Sequence, residues 1–313
     1  MKQFKQLGLI AVLALALGAC GETKEAATDG AAAPAATVSV EHKLGTVEVK
    51  QNPERVVAFD FGALDTLEAL GVDVIGLPKA NIPAYLSKYK DDKYADMGGL
   101  KEPNFEAIHA AKPDLIIISD RQAKLFDQLN EIAPTVYTNV DYNDYVPSLE
   151  KNVKTLASLF GKEAQADEAL ATLKADIASV NEKTNAMPEK GLIVLVNDGK
   201  ISAYGSKSRF GFIHDVLGVK QADEAISVST HGQSVAFEYI VKTNPDYIFV
   251  IDRSAVVGNS ETAAKQVIEN ELVQKTNAFK NGHIVYLDPN TWYLSGGGLG
   301  STKEMVEEVK AAL

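Results

Sequence analysis

The chain has 313 residues, a formal net charge of −11 and a single cysteine, Cys20. An acidic surface of this kind argues against nucleic acid or an anionic lipid surface as a partner, and one cysteine excludes a disulfide within the chain. The part that follows the N-terminal segment, about 275 residues, is long enough for two lobes with separate cores.

The N-terminus carries a pattern typical of export. Two lysines precede an apolar run from Leu7 to Leu17, which is too short to cross a bilayer and ends in small residues. Residues 1–19 are therefore predicted to be a signal peptide. Leu17-Gly-Ala-Cys20 resembles the lipobox of bacterial lipoproteins, which implies that Cys20 is lipidated and begins the mature chain. A plain signal peptide followed by a coincidental cysteine is the alternative.

Residues 20–45 are predicted to be a flexible tether. Most of this stretch lacks aromatic and branched apolar side chains, so it buries too little surface to offset its ordering entropy.

Residues 46–160 are predicted to form the first α/β lobe. Strand and helix patterns alternate there, as is typical of a parallel sheet covered on both faces. Strands are predicted at 55–60, 72–77, 115–119 and 135–140, and helices at 62–70, 105–112 and 124–132.

Residues 161–187 are predicted to form a linking helix. Leu170, Leu173, Ile177 and Val180 recur on one helical face. A helix of roughly 24 residues spans about 36 Å, which is long enough to bridge two lobes. An ordinary surface helix would show the same periodicity, so that alternative stays open.

Residues 188–313 are predicted to form the second α/β lobe. Asp198-Gly199 is typical of a tight hairpin between two strands. A long helix is then predicted at 263–279, a strand at 283–287 and a final helix from Ser301.

A 17-residue pattern occurs twice, 132 positions apart, at 105–121 and 237–253, with eight identical positions. Each copy predicts a short helix that feeds a buried strand whose far end carries Asp-Arg, and the repeat indicates two similar lobes. Ligands of open α/β sheets bind beyond the carboxyl ends of the strands, so Arg121 and Arg253 are expected over a shared cleft. Surface pairing of each arginine with the preceding aspartate is the alternative.

The lipobox, tether, two lobes and linking helix together resemble the substrate-binding lipoproteins of bacterial iron-siderophore ABC importers. These are class III periplasmic binding proteins with two Rossmann-like α/β lobes. The chain is most similar to the branch that binds ferric catecholate-type siderophores, such as petrobactin and enterobactin. The resemblance covers residues 46–313 and is strongest at Ile118-Ser-Asp-Arg-Gln122, Ser208-Arg-Phe-Gly211, Thr230-His-Gly232, Phe249-Val-Ile-Asp-Arg253 and Leu287-Asp-Pro-Asn-Thr-Trp-Tyr293.

The resemblance implies that Arg121, Arg209 and Arg253 line the cleft. The chemistry agrees, because a ferric tris-catecholate carries three negative charges on aromatic oxygens. Guanidinium groups stay charged, donate several hydrogen bonds and stack on aromatic rings. Arg209 lies in a loop rich in serine and glycine, which suits a cleft wall, although a solvated loop charge is the alternative.

In some members of the branch, the residues that match His231 and Tyr293 complete the coordination of iron. A phenolate oxygen is a hard donor suited to Fe³⁺, and imidazole also binds iron. This role requires a siderophore that leaves two iron positions open; otherwise both residues only pack against the ligand or hydrogen-bond to it. The other histidines (His42, His109, His214 and His283) are expected to be structural. Trp292 is expected to be a core residue, with a place in the cleft wall as the alternative.

Glu106 and Glu238 occupy equivalent positions in the two repeat copies. The resemblance implies that they dock onto arginines of the membrane permease, whereas stabilisation of a helix N-terminus is the simpler reading of a glutamate in a first turn. The two roles are compatible.

The expected function is therefore an extracytoplasmic receptor that captures a ferric siderophore and passes it to the permease subunits of an ABC importer. The chain is expected to be a monomer without a permanent cofactor, held at the membrane only by its lipid. Receptors for haem, cobalamin or hydroxamate siderophores share this architecture and are the alternatives. A hydrolytic enzyme is a remote alternative, because no nucleophile-elbow motif is present.

Overall fold

The computed structural model of the protein describes residues 36–257 and 263–313. Within these ranges, no helix has the length and apolarity needed to cross a membrane. The predicted signal peptide and Cys20 lie outside the described residues.

A two-stranded antiparallel hairpin opens the fold. Strand β1 (Thr37–His42) pairs with β2 (Gly45–Lys50). The predicted tether boundary at residue 45 is therefore wrong. Val40, Val47 and Val49 are buried, and this alternation of valines gives the segment a face that packs on the first lobe.

The first lobe contains a five-stranded parallel sheet in the order β5-β4-β3-β6-β7, as the alternating pattern predicts. Its strands are β3 (Val56–Ala58), β4 (Gly76–Leu77), β5 (Ala95–Asp96), β6 (Leu115–Ile118) and β7 (Thr135–Tyr137). Its helices are α1 (Phe61–Ala69), α2 (Phe105–Ala111) and α3 (Phe126–Asn130), with 3₁₀ turns at Ala84–Lys90 and Ala123–Leu125.

Two helices follow the last strand of this sheet in the chain, α4 (Tyr145–Leu159) and α5 (Glu163–Ala186). Helix α5 has 24 residues, and the four apolar positions that predicted its buried face are buried. It packs in one core cluster with strands of the second lobe.

The second lobe contains a six-stranded sheet in which β11-β9-β8-β12-β13 are neighbours and β10 pairs with β8. Its strands are β8 (Lys190–Asn197), β9 (Lys200–Tyr204), β10 (Lys220–Gln221), β11 (Gln233–Val235), β12 (Tyr247–Asp252) and β13 (Ile284–Leu287). Its helices are α6 (Phe212–Asp215), α7 (Phe237–Thr243), α8 (Ser254–Val257), α9 (Ala264–Ile268) and α10 (Asn277–Lys280), with a 3₁₀ turn at Val273–Lys275.

The predicted hairpin at Asp198-Gly199 is confirmed, and both residues have positive φ, 50° and 73°. The single helix predicted at 263–279 is wrong. The side chain of Asn270 accepts hydrogen bonds from the amides of Leu272 and Val273, and Thr276 caps α10. These polar side chains start new turns and divide the segment.

The chain then passes through a π-helical segment, Asn290–Ser295, into the last helix, α11 (Leu299–Ala312). Helix α11 packs against α1 of the first lobe as well as α5. The π-helical segment also lies close to α1, because a Cβ on Gly62 would lie 2.7 Å from the carbonyl oxygen of Ser295. The last residues of the predicted second lobe therefore return to the first.

Candidate ligand-binding site

The site is centred on Tyr293, which lies in the π-helical segment. Its neighbours Trp292 and Leu294 are buried and fix the segment, whereas Tyr293 is half-buried. The indole nitrogen of Trp292 donates to Oε2 of Glu308 at 2.6 Å. Trp292 is thus a buried anchor, as predicted, and it also lines the cavity beside Tyr293.

Three guanidinium groups converge on this tyrosine. Arg121 and Arg209 donate to its carbonyl oxygen at 3.2 and 2.6 Å. Arg253 donates through Nε to its hydroxyl oxygen at 2.8 Å. The guanidinium carbon of Arg209 also lies 4.2 Å from the centre of the Tyr293 ring, which is a cation–π distance.

The fold explains this convergence. Arg253 comes directly after the carboxyl end of β12, and Arg121 follows the carboxyl end of β6 after Ser119 and Asp120, so each lobe provides one arginine. Arg209 follows β9 in a loop that is tied down by a 2.5 Å hydrogen bond from the Ser208 hydroxyl to the Gly205 carbonyl. Arg209 also lies over the ring of Phe210, which is buried.

The site concentrates positive charge on an acidic chain. The sequence has only four arginines, and three of them are here. Among the described residues, none of the three forms a salt bridge. Asp120 accepts from Tyr137 and Asn139, and Asp252 accepts from the amides of Ala255 and Ala264. The alternative of Asp-Arg surface pairs is therefore wrong.

The positive charge shifts the ionisation of the groups around it. Burial raises the pKa of the Tyr293 hydroxyl, but the Arg253 hydrogen bond and the charges of Arg209 and Arg253 outweigh it and leave that pKa below its usual value. Burial, and then the charge of Arg209, lower the pKa of Arg121. Burial raises the pKa of Asp60, and the positive charge of Arg121 partly opposes this increase. Arg209 and Arg253 therefore favour the ionised form of Tyr293, whereas burial disfavours the ionised form of Asp60.

Two cavities flank Tyr293. The first, of about 310 Å³, is lined by Arg121, Arg209, His231 and Tyr293 among others. The second, of about 300 Å³, is lined by Arg121, Arg253 and Tyr293 among others. A larger cavity of about 640 Å³, lined mostly by the first lobe, adjoins the first of them, but no arginine lines it. The predicted ligand-binding residues are thus brought together.

Several lining residues were missed by the sequence reasoning. Asp60, Tyr142 and Asn139 follow strand ends or lie in the loop after β7, so the strand-end rule was sufficient to find them. Lys101 lies in a loop without any motif, and nothing in the sequence marks it.

Glu106 and Glu238 lie in the first turns of α2 and α7 and are exposed, and neither lines the cavities described. Three other histidines have backbone partners. His42 contacts the carbonyl of Thr135, His214 that of Val219 and His283 that of Asp246, at 3.1, 2.7 and 3.3 Å.

Two α/β lobes joined by a long helix, with a positively charged cleft between them, define a substrate-binding protein of class III rather than an enzyme. A family model described as periplasmic binding protein matches residues 56–291, and the chain belongs to this family of extracytoplasmic receptors.

Relatives with known names are similar over the full chain. The chain is 49% identical to the petrobactin-binding protein YclQ of Bacillus subtilis, with 100% of this chain and 99% of YclQ covered. The crystal structure of YclQ matches with a TM-score of 0.87 and 51% identity, covering 88% of this chain and 98% of that one. The periplasmic catecholate-siderophore binding protein VctP of Vibrio cholerae matches with a TM-score of 0.84 and 36% identity, covering 88% and 100%.

Proposed function

We propose that this protein is the receptor of an ABC importer for a ferric catecholate-type siderophore. The observation that carries the proposal is the convergence of Arg121, Arg209 and Arg253 on Tyr293. In the structure these groups donate to the carbonyl and hydroxyl oxygens of Tyr293 and to the side-chain oxygen of Asn197. A ligand with several anionic oxygens offers them stronger partners. The names of the relatives, petrobactin-binding and catecholate-siderophore binding, support the same ligand class.

The arrangement favours an aromatic anion over a compact one. Arg209 lies over Tyr293 and Phe210, so the site pairs guanidinium charge with ring surfaces. A catecholate offers both deprotonated oxygens and a ring face, whereas a neutral hydroxamate complex offers neither the charge nor the ring.

Tyr293 and His231 are the candidates to bind the iron of a siderophore that leaves two positions open. Both line the first cavity, and the arginines lower the pKa of the Tyr293 hydroxyl. Iron is the cargo here, and these two side chains would contribute a phenolate oxygen and an imidazole nitrogen.

Coordination by Tyr293 has a spectroscopic and a pH signature. Binding releases the phenol proton, so affinity rises with pH, and the phenolate gives a ligand-to-metal absorption band. In Tyr293→Phe, the band and that part of the pH dependence should be lost, while Trp292 fluorescence still reports binding. An unchanged band and pH profile would assign iron coordination to the siderophore alone.

Capture is coupled to delivery by two further features. Lipidation of Cys20 after cleavage of residues 1–19 would anchor the chain at the membrane. Glu106 and Glu238 are exposed, equivalent and outside the cleft, which suits docking to basic side chains of the permease.

The ligand class is tested by titration of the purified protein with ferric catecholate, ferric hydroxamate, haem and cobalamin, followed by the fluorescence of Trp292, the only tryptophan. The anionic catecholate complex should bind most tightly, and its affinity should fall as salt rises. Tighter binding of a neutral complex, or an affinity that does not change with salt concentration, would contradict the proposal.

A further inference from the structure

Arg209 is carried by a loop that the core does not hold along its whole length. The loop, residues 205–211, connects β9 to α6. Phe210 is buried and anchors its second half, whereas Lys207 in its first half is exposed. Arg209 nevertheless has a defined position, because its guanidinium group donates to the Tyr293 carbonyl at 2.6 Å. Contacts other than core packing are therefore needed to fix the first half of the loop.

The carboxylate of Asp215 supplies these contacts. Asp215 is the last residue of α6, the helix that follows the loop. Its Oδ1 accepts from the Ser206 hydroxyl, and its Oδ2 accepts from the amide of Lys207 at 2.6 Å. The backbone amide of Asp215 donates to the carbonyl of Gly211 at 2.7 Å. One residue thus ties the beginning of the Arg209 loop to its end.

The backbone at Lys207 explains why an acceptor is needed there. Lys207 has a φ of 59°, in the left-handed region that a residue other than glycine occupies at a cost. Such a conformation persists only where the surrounding structure holds it. A second side chain, Gln221, accepts from the amide of Ser206 at 2.8 Å. The acceptor that holds the amide of Lys207 itself is Asp215.

Asp215 acts on Arg209 from outside the ligand cavities. It lines neither of the two cavities that flank Tyr293, and among the described residues it forms no salt bridge with Arg209. Its carboxylate instead lies close against the loop, since a Cβ on Gly211 would lie 2.5 Å from Oδ2 of Asp215. The effect of Asp215 on Arg209 therefore passes through the backbone of the loop.

We propose that Asp215 is a positioning residue for ligand capture, which fixes the loop so that Arg209 meets the anionic ligand in a preformed orientation. The inference rests on the proposed function, in which Arg209 binds the ligand. Charge and positioning predict opposite signs. Removal of one negative charge alone would leave the binding of an anion unchanged or make it tighter. Loss of the fixed loop would weaken binding, because the guanidinium group then has to be ordered when the ligand binds.

The test compares Asp215→Ala with a matched control, Asp73→Ala. Like Asp215, Asp73 is exposed and accepts from one hydroxyl, that of Tyr94, and from one backbone amide, that of Val74. It precedes β4 and so lies at the opposite end of its sheet from the cleft. Both variants lose one negative charge and two hydrogen bonds of the same kinds, so they differ in whether the loop of Arg209 is affected.

The Kd for a ferric bis-catecholate is the quantity measured. Asp215→Ala should raise it about three- to tenfold, and Asp73→Ala should leave it unchanged. Asp215→Asn keeps an acceptor for the amide of Lys207 and should raise the Kd only about twofold. This variant also serves where the alanine variant does not fold.

A double-mutant cycle separates positioning from general destabilisation. In the Arg209→Ala background, Asp215→Ala should change the Kd by less than about twofold, because the side chain that it positions is absent. An equal loss of affinity in both backgrounds would overturn the proposal, and so would Asp215→Ala binding as tightly as wild type or more tightly. If the wild type binds no ferric catecholate, or Arg209→Ala binds it as tightly as wild type, the proposed function itself fails, which the same series shows separately.

Discussion

The two repeat copies have the same scaffold but end in different surroundings. Lys112 and Asn244 end α2 and α7 in the same left-handed conformation, with φ of 47° and 44°. Asp114 and Asp246 then each accept from a backbone amide at the start of a neighbouring strand, Arg55 at 2.8 Å and Lys190 at 3.0 Å. The scaffold therefore delivers an arginine to the cleft from each lobe in the same way.

The arginines differ in what they bind. Arg121 donates to a backbone carbonyl and lies beside buried Asp60, whereas Arg253 donates to the Tyr293 hydroxyl and to Asn197 at 2.5 Å. A carbonyl of the fixed segment holds Arg121 in one position, but a phenol can rotate away or bind iron. Arg121 is thus bound to the backbone of the Tyr293 segment, whereas Arg253 is bound to side chains, one of which the ligand can engage.

The largest expected effect on ligand affinity comes from removing Arg121, the arginine bound to the backbone of the Tyr293 segment. Arg121→Ala should weaken ferric catecholate binding up to about a hundredfold, and Arg253→Ala about tenfold, because Arg253 must give up two hydrogen bonds to the protein on binding and Arg121 only one, at 3.2 Å. Lysine at either position should rescue only in part. Arg55→Lys is the control, since Arg55 binds the carbonyls of Ala111 and Lys112 at the end of α2. Equal losses at Arg121 and Arg253 would remove the contrast between the halves.

A second prediction concerns the anchor that holds the Tyr293 segment against the first lobe. Buried Asp65 on α1 accepts from the amides of Gly300 and Ser301, both at 2.8 Å, at the start of α11. Desolvation raises the pKa of Asp65 to about 6, above its ordinary 3.8. Between pH 4 and 6 the folded state then holds more protons than the unfolded state, so this group makes stability fall as pH rises.

Asp65→Asn should remove that component. The difference in unfolding free energy between wild type and variant should change by about 2–3 kcal/mol between pH 4 and pH 7, measured by urea denaturation. A difference that is constant across this range would show that Asp65 titrates normally and that its contacts do not depend on its charge.

A third prediction uses the equivalent aspartates. Asp114→Ala and Asp246→Ala should each lower stability by about 1–2 kcal/mol, because each leaves at least one backbone amide without its carboxylate acceptor. Siderophore affinity should stay within about twofold, since neither residue lines the cavities described. A large loss of affinity in one variant but not the other would show that the scaffold is not equivalent in the two lobes.

The smallest effect on affinity is expected at Glu106 and Glu238. Alanine at both positions should leave the Kd unchanged and reduce iron uptake in cells, more in the double variant than in either single one, because exposed ion pairs are individually weak. Unchanged uptake in the double variant would contradict docking through these residues, and weakened ligand binding would place them in the cleft.

Much of this site was accessible from the sequence because it follows from local rules. Strand ends predicted Arg121 and Arg253, and the loop composition favoured Arg209. The Tyr293 carbonyl, which accepts from Arg121 and Arg209, could not be predicted, because every residue has a backbone carbonyl and the residue type does not distinguish it. The contact of Asp65 with α11 joins positions 235 apart, so it depends on the tertiary fold.

The central claim is that the ligand binds where three arginines surround Tyr293. Anomalous diffraction from the iron in crystals of the ferric catecholate complex tests it most directly. We expect a single iron peak in the cleft at Tyr293, with the guanidinium groups of Arg121, Arg209 and Arg253 contacting the siderophore oxygens. An iron peak in the larger cavity of the first lobe, or a ligand that leaves the three arginines on Tyr293, would contradict it.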